Sequence, residues 1–137
     1  MNKVIIVGGG AAGMMAAISA SKAGKKVCIL EKNEKLGKKL FITGKGRCNI
    51  TNASDIQNHF ANIMRNSKFL YSAYNNFSYE DICNMIESAG VKTKIERGNR
   101  VFPESDKSSD VIWALSKMMK DVGVNVHLNK NVTDVLS

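Results

Sequence analysis

Val4-Ile5-Ile6-Val7-Gly8-Gly9-Gly10-Ala11-Ala12-Gly13 runs from an apolar tetrapeptide straight into a glycine turn, and eighteen positions beyond Gly13 stands Glu31. The apolar run predicts a short strand buried on both faces. Gly8 permits the sharp exit from it. Gly10 leaves room for a pyrophosphate, and Gly13 lets the following helix pack closely on the strand. That helix is expected to run to Gly24, with its unpaired N–H groups and partial positive charge aimed at phosphate. Val27-Cys28-Ile29-Leu30 forms the second strand, and Glu31 at its end has the spacing of an acid that accepts hydrogen bonds from ribose hydroxyls. Its charge disfavours a 2′-phosphate, so the pattern predicts FAD or NAD before NADP.

Two other readings compete for the same residues. Between Lys3 and Lys22 lie eighteen uncharged positions, enough to raise a membrane helix, and Lys3 could open a secretory leader. Neither accounts for Glu31. Three successive glycines also weaken a helix by about 1 kcal/mol each relative to alanine. The expectation is a chain that does not enter the membrane.

A length of 137 residues suits one core, either a whole domain or part of a larger one. Cys28, Cys48 and Cys83 are odd in number and lack a CxxC pair, which excludes a disulfide framework or zinc site and predicts a reducing, cytoplasmic setting. His59 and His127 stand apart from any ligand cluster, so no metal is expected. The net charge of +8 is concentrated between Lys22 and Arg47 and permits binding to an acidic partner. No nucleic-acid module accompanies it, and most such lysines are simply solvated.

Residues 32–52 are rich in glycine and positive charge and read as a loop that meets an anion, with Lys38, Lys39, Lys45 and Arg47 able to pair with phosphate. Asp55 to Phe77 shows the apolar spacing of two amphipathic helices, whose aromatic stripe is expected in the core. Ser78 with Asp81 three positions on caps a helix that Gly90 ends. Val91–Ile95 and Arg100–Phe102 flank Arg97-Gly98-Asn99 as a hairpin. Asp110 is expected to cap a helix ending at Gly123, with Trp113 off its apolar stripe. Val124, Val126 and Leu128 alternate as a strand, and Val132–Leu136 reads as another. The expected fold class is α/β: a Rossmann-like nucleotide-binding domain with a parallel sheet, built from a βαβ unit and loop (1–52), a helical and hairpin insertion (53–103), and a helix with returning strands (104–137).

The glycine turn, Gly37-Lys38-Lys39-Leu40, Gly46-Arg47-Cys48-Asn49-Ile50-Thr51-Asn52 and Gly98-Asn99-Arg100-Val101-Phe102-Pro103 together resemble the BaiN-like family of FAD-dependent oxidoreductases, also labelled aminoacetone oxidase or NAD(P)/FAD-dependent oxidoreductases. The resemblance covers essentially the whole chain, and Gly46–Asn52 is its most specific part. It implies FAD as the resident nucleotide of a glutathione-reductase-like domain, with NAD(P)H as a possible electron donor. Gly8, Gly10, Ala12 and Gly13 would then face the pyrophosphate, Glu31 the adenosine ribose, and Lys32 and Lys39 the neighbouring charge. Gly46, Arg47, Cys48 and Asn49 would lie along the flavin, and Val132 would use its backbone on the adenine. The implied chemistry passes a hydride through flavin to or from a small molecule, and no catalytic acid or base is identified.

Members of that family are much longer and carry a substrate domain and a C-terminal return that complete the flavin pocket. The expectation is therefore an amino-terminal piece that holds FAD weakly and exposes apolar sheet edges through which it could self-associate. Cys48, beside Arg47, could be a redox thiol. Without a partner cysteine, a packing role is preferred. Two alternatives remain open at this point: an NAD-linked dehydrogenase domain, and a non-catalytic, nucleic-acid-associated fragment of a flavoprotein. Nucleic acid is the less favoured partner.

Overall fold

The computed structural model describes residues 2–136. Strand β1 (Lys3–Val7) passes through the glycine turn into helix α1 (Ala11–Lys22), and the chain returns in β2 (Lys26–Leu30), parallel to β1 with Val7 opposite Leu30. A third parallel strand, β6 (Asn125–His127), pairs with the other edge of β2, giving the order β1-β2-β6. Between β2 and β6 come α2 (Lys38–Gly46), β3 (Thr51–Asn52), α3 (Ile56–Ala61), a 3₁₀ turn (Ser67–Leu70), α4 (Tyr71–Asn76), α5 (Tyr79–Ser88), β4 (Thr93–Glu96), β5 (Arg100–Pro103) and α6 (Ser108–Asp121). Strands β3, β5 and β4 form a small antiparallel sheet, whose hairpin turns at Arg97-Gly98-Asn99. A parallel sheet flanked by helices, with a helical and hairpin insertion, is a Rossmann-like arrangement.

One core holds these parts together. Met14, Ala17 and Ile18 of α1 meet Val27 and Ile29 of β2 and Val111, Ala114, Leu115 and Met119 of α6, and the cluster continues through Ile86, Ala89, Val91 and Cys48. The apolar spacing of α6 follows the 3.6-residue period, and Trp113 falls off that stripe, 53% exposed. Helix α5 starts with a complete capping box: Asp81 N–H donates to Ser78 Oγ and Ser78 N–H to the Asp81 carboxylate at 2.7 Å.

The structure corrects several expectations. Strand β1 is covered on one face only: Val4 and Ile6 pack against the core, while Ile5 and Val7 are 56% and 62% exposed. Among the described residues the covering helices pack on one side, and β1 has a single strand neighbour. Residues 32–52 are not all loop, because Lys38 begins a helical turn after Gly37, at φ 68°, changes the chain's direction. The expected strand at Val132–Leu136 is absent; over the described residues of that stretch the chain has no ladder partner. Asp110 is not the cap of α6. The helix starts at Ser108, whose hydroxyl donates to the Phe41 carbonyl at 2.7 Å, and Asp110 sits in the first turn, where its charge still suits the helix dipole. The aromatic stripe of Asp55–Phe77 lies outside the core: Phe60 stacks on Tyr71, and Phe69 and Tyr71 remain exposed, because α3 and α4 are too short to present a continuous buried face. His59 fits its expected hydrogen-bonded role, with Nε2 2.9 Å from the Asn52 carbonyl oxygen and its ring against Tyr74.

Candidate functional site

The glycine turn is built by backbone geometry that few residues could share. Gly8 leaves β1 at φ 98°, and its N–H donates to the Leu30 carbonyl at 2.9 Å, tying the turn to the end of β2. A Cβ on Gly13 would lie 2.0 Å from the Gly8 carbonyl oxygen, so α1 approaches the turn as closely as two backbones can. Gly10, the N-cap of α1, faces open space, with nothing within 4 Å of where its Cβ would be. The first N–H groups of a helix lack partners inside it. The first turn of α1 carries no acidic residue to offset its positive end, so these groups present an anion-binding surface beside Gly10.

Glu31 closes this cradle. It is 6% exposed, and its carboxylate accepts three N–H donations: Gly9 N–H to Oε2 at 2.6 Å, Asn33 N–H to Oε1 at 2.8 Å, and the Asn33 carboxamide to Oε1 at 2.7 Å. The Asn33 backbone N–H is the main reason the carboxyl is held below its ordinary pKa. Burial opposes this, and the Gly9 N–H, the Asn33 carboxamide and Lys32 reinforce it. The carboxylate is therefore ionised and fixed at neutral pH. Two backbone bonds anchor the segment to the chain beyond β6: Lys130 N–H donates to the Glu31 carbonyl at 2.8 Å, and Asn129 N–H to the Asn33 carbonyl at 3.0 Å.

Around these groups lies a cavity of about 310 Å³. Of the residues named from the sequence it gathers Gly8, Gly10, Glu31, Lys32, Lys38, Lys39 and Val132, and Lys45 is not on its wall. Ala12 and Gly13 lie in the first turn of α1 and are not on its wall. Gly46, Arg47, Cys48 and Asn49 are also outside it, in the irregular end of α2 and the turn that follows. Sequence reasoning missed Gly9, Asn33, Lys130 and Asn131. Gly9 could have been found: it is the middle of three glycines, and a Cβ there would run into Leu36 at 2.3 Å and crowd Glu31. Asn33 stands two residues after Glu31 and bonds to it locally, whereas Lys130 and Asn131 carry no local signal, because they reach the cavity through the chain that follows β6. The residues present fit the adenosine and pyrophosphate half of a dinucleotide, with an open glycine backbone for phosphate, a fixed carboxylate for a diol, and lysines at the mouth.

The segment around Arg47 has a different character. The Arg47 guanidinium donates to Asp106 Oδ1 and to Glu96, and it lies 4.1 Å from the centre of the Phe102 ring. Lys94 reaches the same Asp106 at 2.8 Å, completing a four-residue ionic cluster that ties the end of α2 to the hairpin. Its partners raise the Arg47 pKa, Glu96 first and Asp106 next. Lys45 and Cys48 both adopt positive φ, at 58° and 60°, a backbone strain that neighbouring contacts must hold in place. Cys48 is 1% exposed, and burial pushes its thiol pKa up against a weaker opposing hydrogen bond from Thr43. That environment suits a packing residue, not a reactive thiolate.

Comparison with known proteins agrees with this architecture. Residues 2–137 match the family described as HI0933-like protein Rossmann domain. The chain is 34% identical over 135 residues to a 3-dehydro-bile acid delta(4,6)-reductase of Clostridium scindens, and 26% identical over 131 residues to a ribosomal RNA dihydrouridine synthase of Haemophilus influenzae. Each alignment covers 96% of this chain and 32% of the relative, so the chain spans about a third of the length of these curated relatives. The crystal structure of Thermovibrio ammonificans THI4 superposes with a TM-score of 0.60 at 15% identity, covering 93% of this chain and 38% of that one, a likeness of fold. No helix among the described residues is long and apolar enough to cross a membrane. The match over residues 2–137 bears out the BaiN-like resemblance read from the motifs, and the chain belongs to the HI0933-like Rossmann-domain family.

Proposed function

We propose that this chain is the FAD-binding part of a flavin-dependent oxidoreductase, which moves hydride to or from a small molecule. The observation that carries the reading is the Glu31 carboxylate, nearly buried, ionised and pinned by Gly9 N–H beside the open face of Gly10. A diol needs a fixed acceptor, and a pyrophosphate needs exposed N–H groups with no side chain in the way. In this reading Gly8 and Gly10 admit the pyrophosphate, Lys32 and Lys39 balance its charge, and the backbone of Val132 borders the adenine. Bound flavin would supply the hydride chemistry, and the chain's own contribution is position and electrostatics.

Gly46, Arg47, Cys48 and Asn49 would then support the flavin end indirectly, Arg47 by bracing the segment through its ionic cluster. Two relatives named as a reductase and as a dihydrouridine synthase support a reductive reaction of the whole protein, and the first, by its name, supports a small molecule as substrate. Bile acids and ribosomal RNA are not carried over to this chain. The three free cysteines support a cytoplasmic location. The open edge of β1 and the exposed Ile5 and Val7 support self-association of the isolated chain, which Val7→Lys should reduce in sedimentation velocity.

The experiment is titration of the purified chain with FAD and with NAD, following flavin fluorescence and heat. Tighter binding of FAD supports the proposal. Preference for NAD would favour the dehydrogenase reading, which the turn and Glu31 also permit.

A further inference from the structure

Asn33 does more around the cradle than any other residue the sequence left unremarked. Its backbone N–H and its carboxamide both donate to Glu31 Oε1, at 2.8 and 2.7 Å, while its own carbonyl accepts from Asn129 N–H at 3.0 Å. It is half-buried and lines the cavity together with Lys32, Lys38, Lys39 and Lys130. These lysines matter because they would attract a nucleotide bearing an extra phosphate. Among the described residues of the cavity wall the one carboxylate is Glu31, while Glu34, outside the wall, pairs with Lys38 at 3.2 Å and leaves Lys32, Lys39 and Lys130 as the lysines that set the field. A carboxylate repels a 2′-phosphate effectively only if it cannot turn away from it. Oε1 is saturated by Asn33, so the acceptor capacity left on Oε2, beside Gly9, is the part of the carboxylate free to meet a ribose hydroxyl.

We infer that Asn33 is a specificity-determining positioning residue: it locks Glu31 in the orientation that accepts an unmodified ribose diol and rejects a 2′-phosphorylated nucleotide. The inference rests on the adenine-nucleotide reading of the cavity and adds to it the device that selects among such nucleotides. Without the carboxamide, Glu31 keeps two of its three donors but gains freedom to swing, and the lysines then dominate the field at the 2′ position.

The test compares 5′-AMP with adenosine 2′,5′-bisphosphate, which differ only in the 2′-phosphate, by calorimetric titration of the wild-type chain, Asn33→Leu and Asn33→Ser. Leucine keeps the shape and the backbone bonds but removes the side-chain donor; serine restores a donor. The ratio of the two dissociation constants, bisphosphate over AMP, should fall about tenfold in Asn33→Leu, close to the lower end of what a hydrogen bond to a charged group supplies, and recover in part in Asn33→Ser. A purely structural role would weaken both ligands together and leave the ratio alone. An unchanged ratio in a folded Asn33→Leu overturns the inference while the nucleotide reading stands. Where leucine does not fit, Asn33→Ala removes the donor without bulk and is read in the same way. Failure of 5′-AMP to bind the wild-type chain overturns the nucleotide reading and the inference with it.

Discussion

Gly10 and Gly13 stand three residues apart in one turn, yet one faces open space and the other meets backbone, and on the proposed reading alanine at each should separate fold from ligand binding. At Gly13 a methyl group would sit 2.0 Å from the Gly8 carbonyl oxygen, 3.1 Å from the Gly8 carbonyl carbon and 3.4 Å from Ile6 Cγ2. The first two are backbone atoms of a turn fixed by the bond from Gly8 N–H to the Leu30 carbonyl, so no flexible side chain can yield. Relief requires α1 to move by more than 1 Å, roughly the shortfall from van der Waals contact. That motion would open the packing of Met14, Ala17 and Ile18 against β2 and α6. Overpacking typically costs 1–3 kcal/mol, and a backbone-to-backbone clash belongs at about 3 kcal/mol or above. Alanine recovers about 1 kcal/mol of helix propensity. The net loss for Gly13→Ala is about 2 kcal/mol, which at roughly 2 kcal/mol per molar lowers the urea midpoint by about 1 M. Gly10→Ala meets nothing within 4 Å, and at a helix N-cap, where alanine ranks below glycine, it costs about 0.5–1 kcal/mol. On the proposed pyrophosphate path its methyl group stands in the way, so it should bind ADP at least tenfold more weakly while its urea midpoint falls by less than that of Gly13→Ala. Equal stability of Gly13→Ala and wild type, or wild-type ADP affinity in Gly10→Ala, would refute the reasoning at the residue concerned.

Glu31 has a folded pKa below its ordinary 4.5, so its ionised form contributes stability above the unfolded value, and that contribution is lost as pH falls through the folded one. Glu31→Gln should therefore cost about 1.5–3 kcal/mol in urea unfolding at pH 7 and much less at pH 3; a pH-independent difference would contradict this. Arg47→Lys loses the fork that spans Asp106 and Glu96 and the stack on Phe102. Amide exchange at Ile50, which bonds to the Val101 carbonyl, should accelerate while the β1–β2 ladder keeps its protection. Cys48 should react with a disulfide reagent only on unfolding, whereas the half-buried Cys83 should react in the folded chain at a slow but measurable rate, and rapid native-state labelling of Cys48 would reverse the packing assignment.

The first unit of the fold was legible because its signals are local. An apolar run, a glycine turn, a helical repeat and an acid follow one another within thirty-one residues, and each has a period or a steric reason of its own. The α5 capping box and the hairpin at Arg97-Gly98-Asn99 were readable for the same reason. What escaped depends on partners distant in sequence. Whether Ile5 and Val7 are buried depends on what covers the second face of β1, which the apolar run does not encode. Lys130 and Asn131 enter the site because the chain beyond β6 is bonded to Glu31 and Asn33. Arg47 looked like a phosphate ligand from its neighbours in sequence, but Glu96 and Asp106 arrive from the hairpin and the turn after β5 and occupy its guanidinium. Helix α6 starts at Ser108, whose buried hydroxyl donates to the Phe41 carbonyl, a partner distant in sequence that no local capping pattern announces.

The central claim is that the cradle of Gly8, Gly9, Gly10 and Glu31 takes the adenosine diphosphate half of FAD. Backbone amide chemical shifts of the isotope-labelled chain, followed during titration with ADP and separately with FMN, test it directly. ADP should shift the amides of Gly9, Gly10, Lys32 and Val132 most strongly, and FMN, which lacks the adenosine half, should leave them in place. Shifts at those residues with FMN and none with ADP would contradict the account.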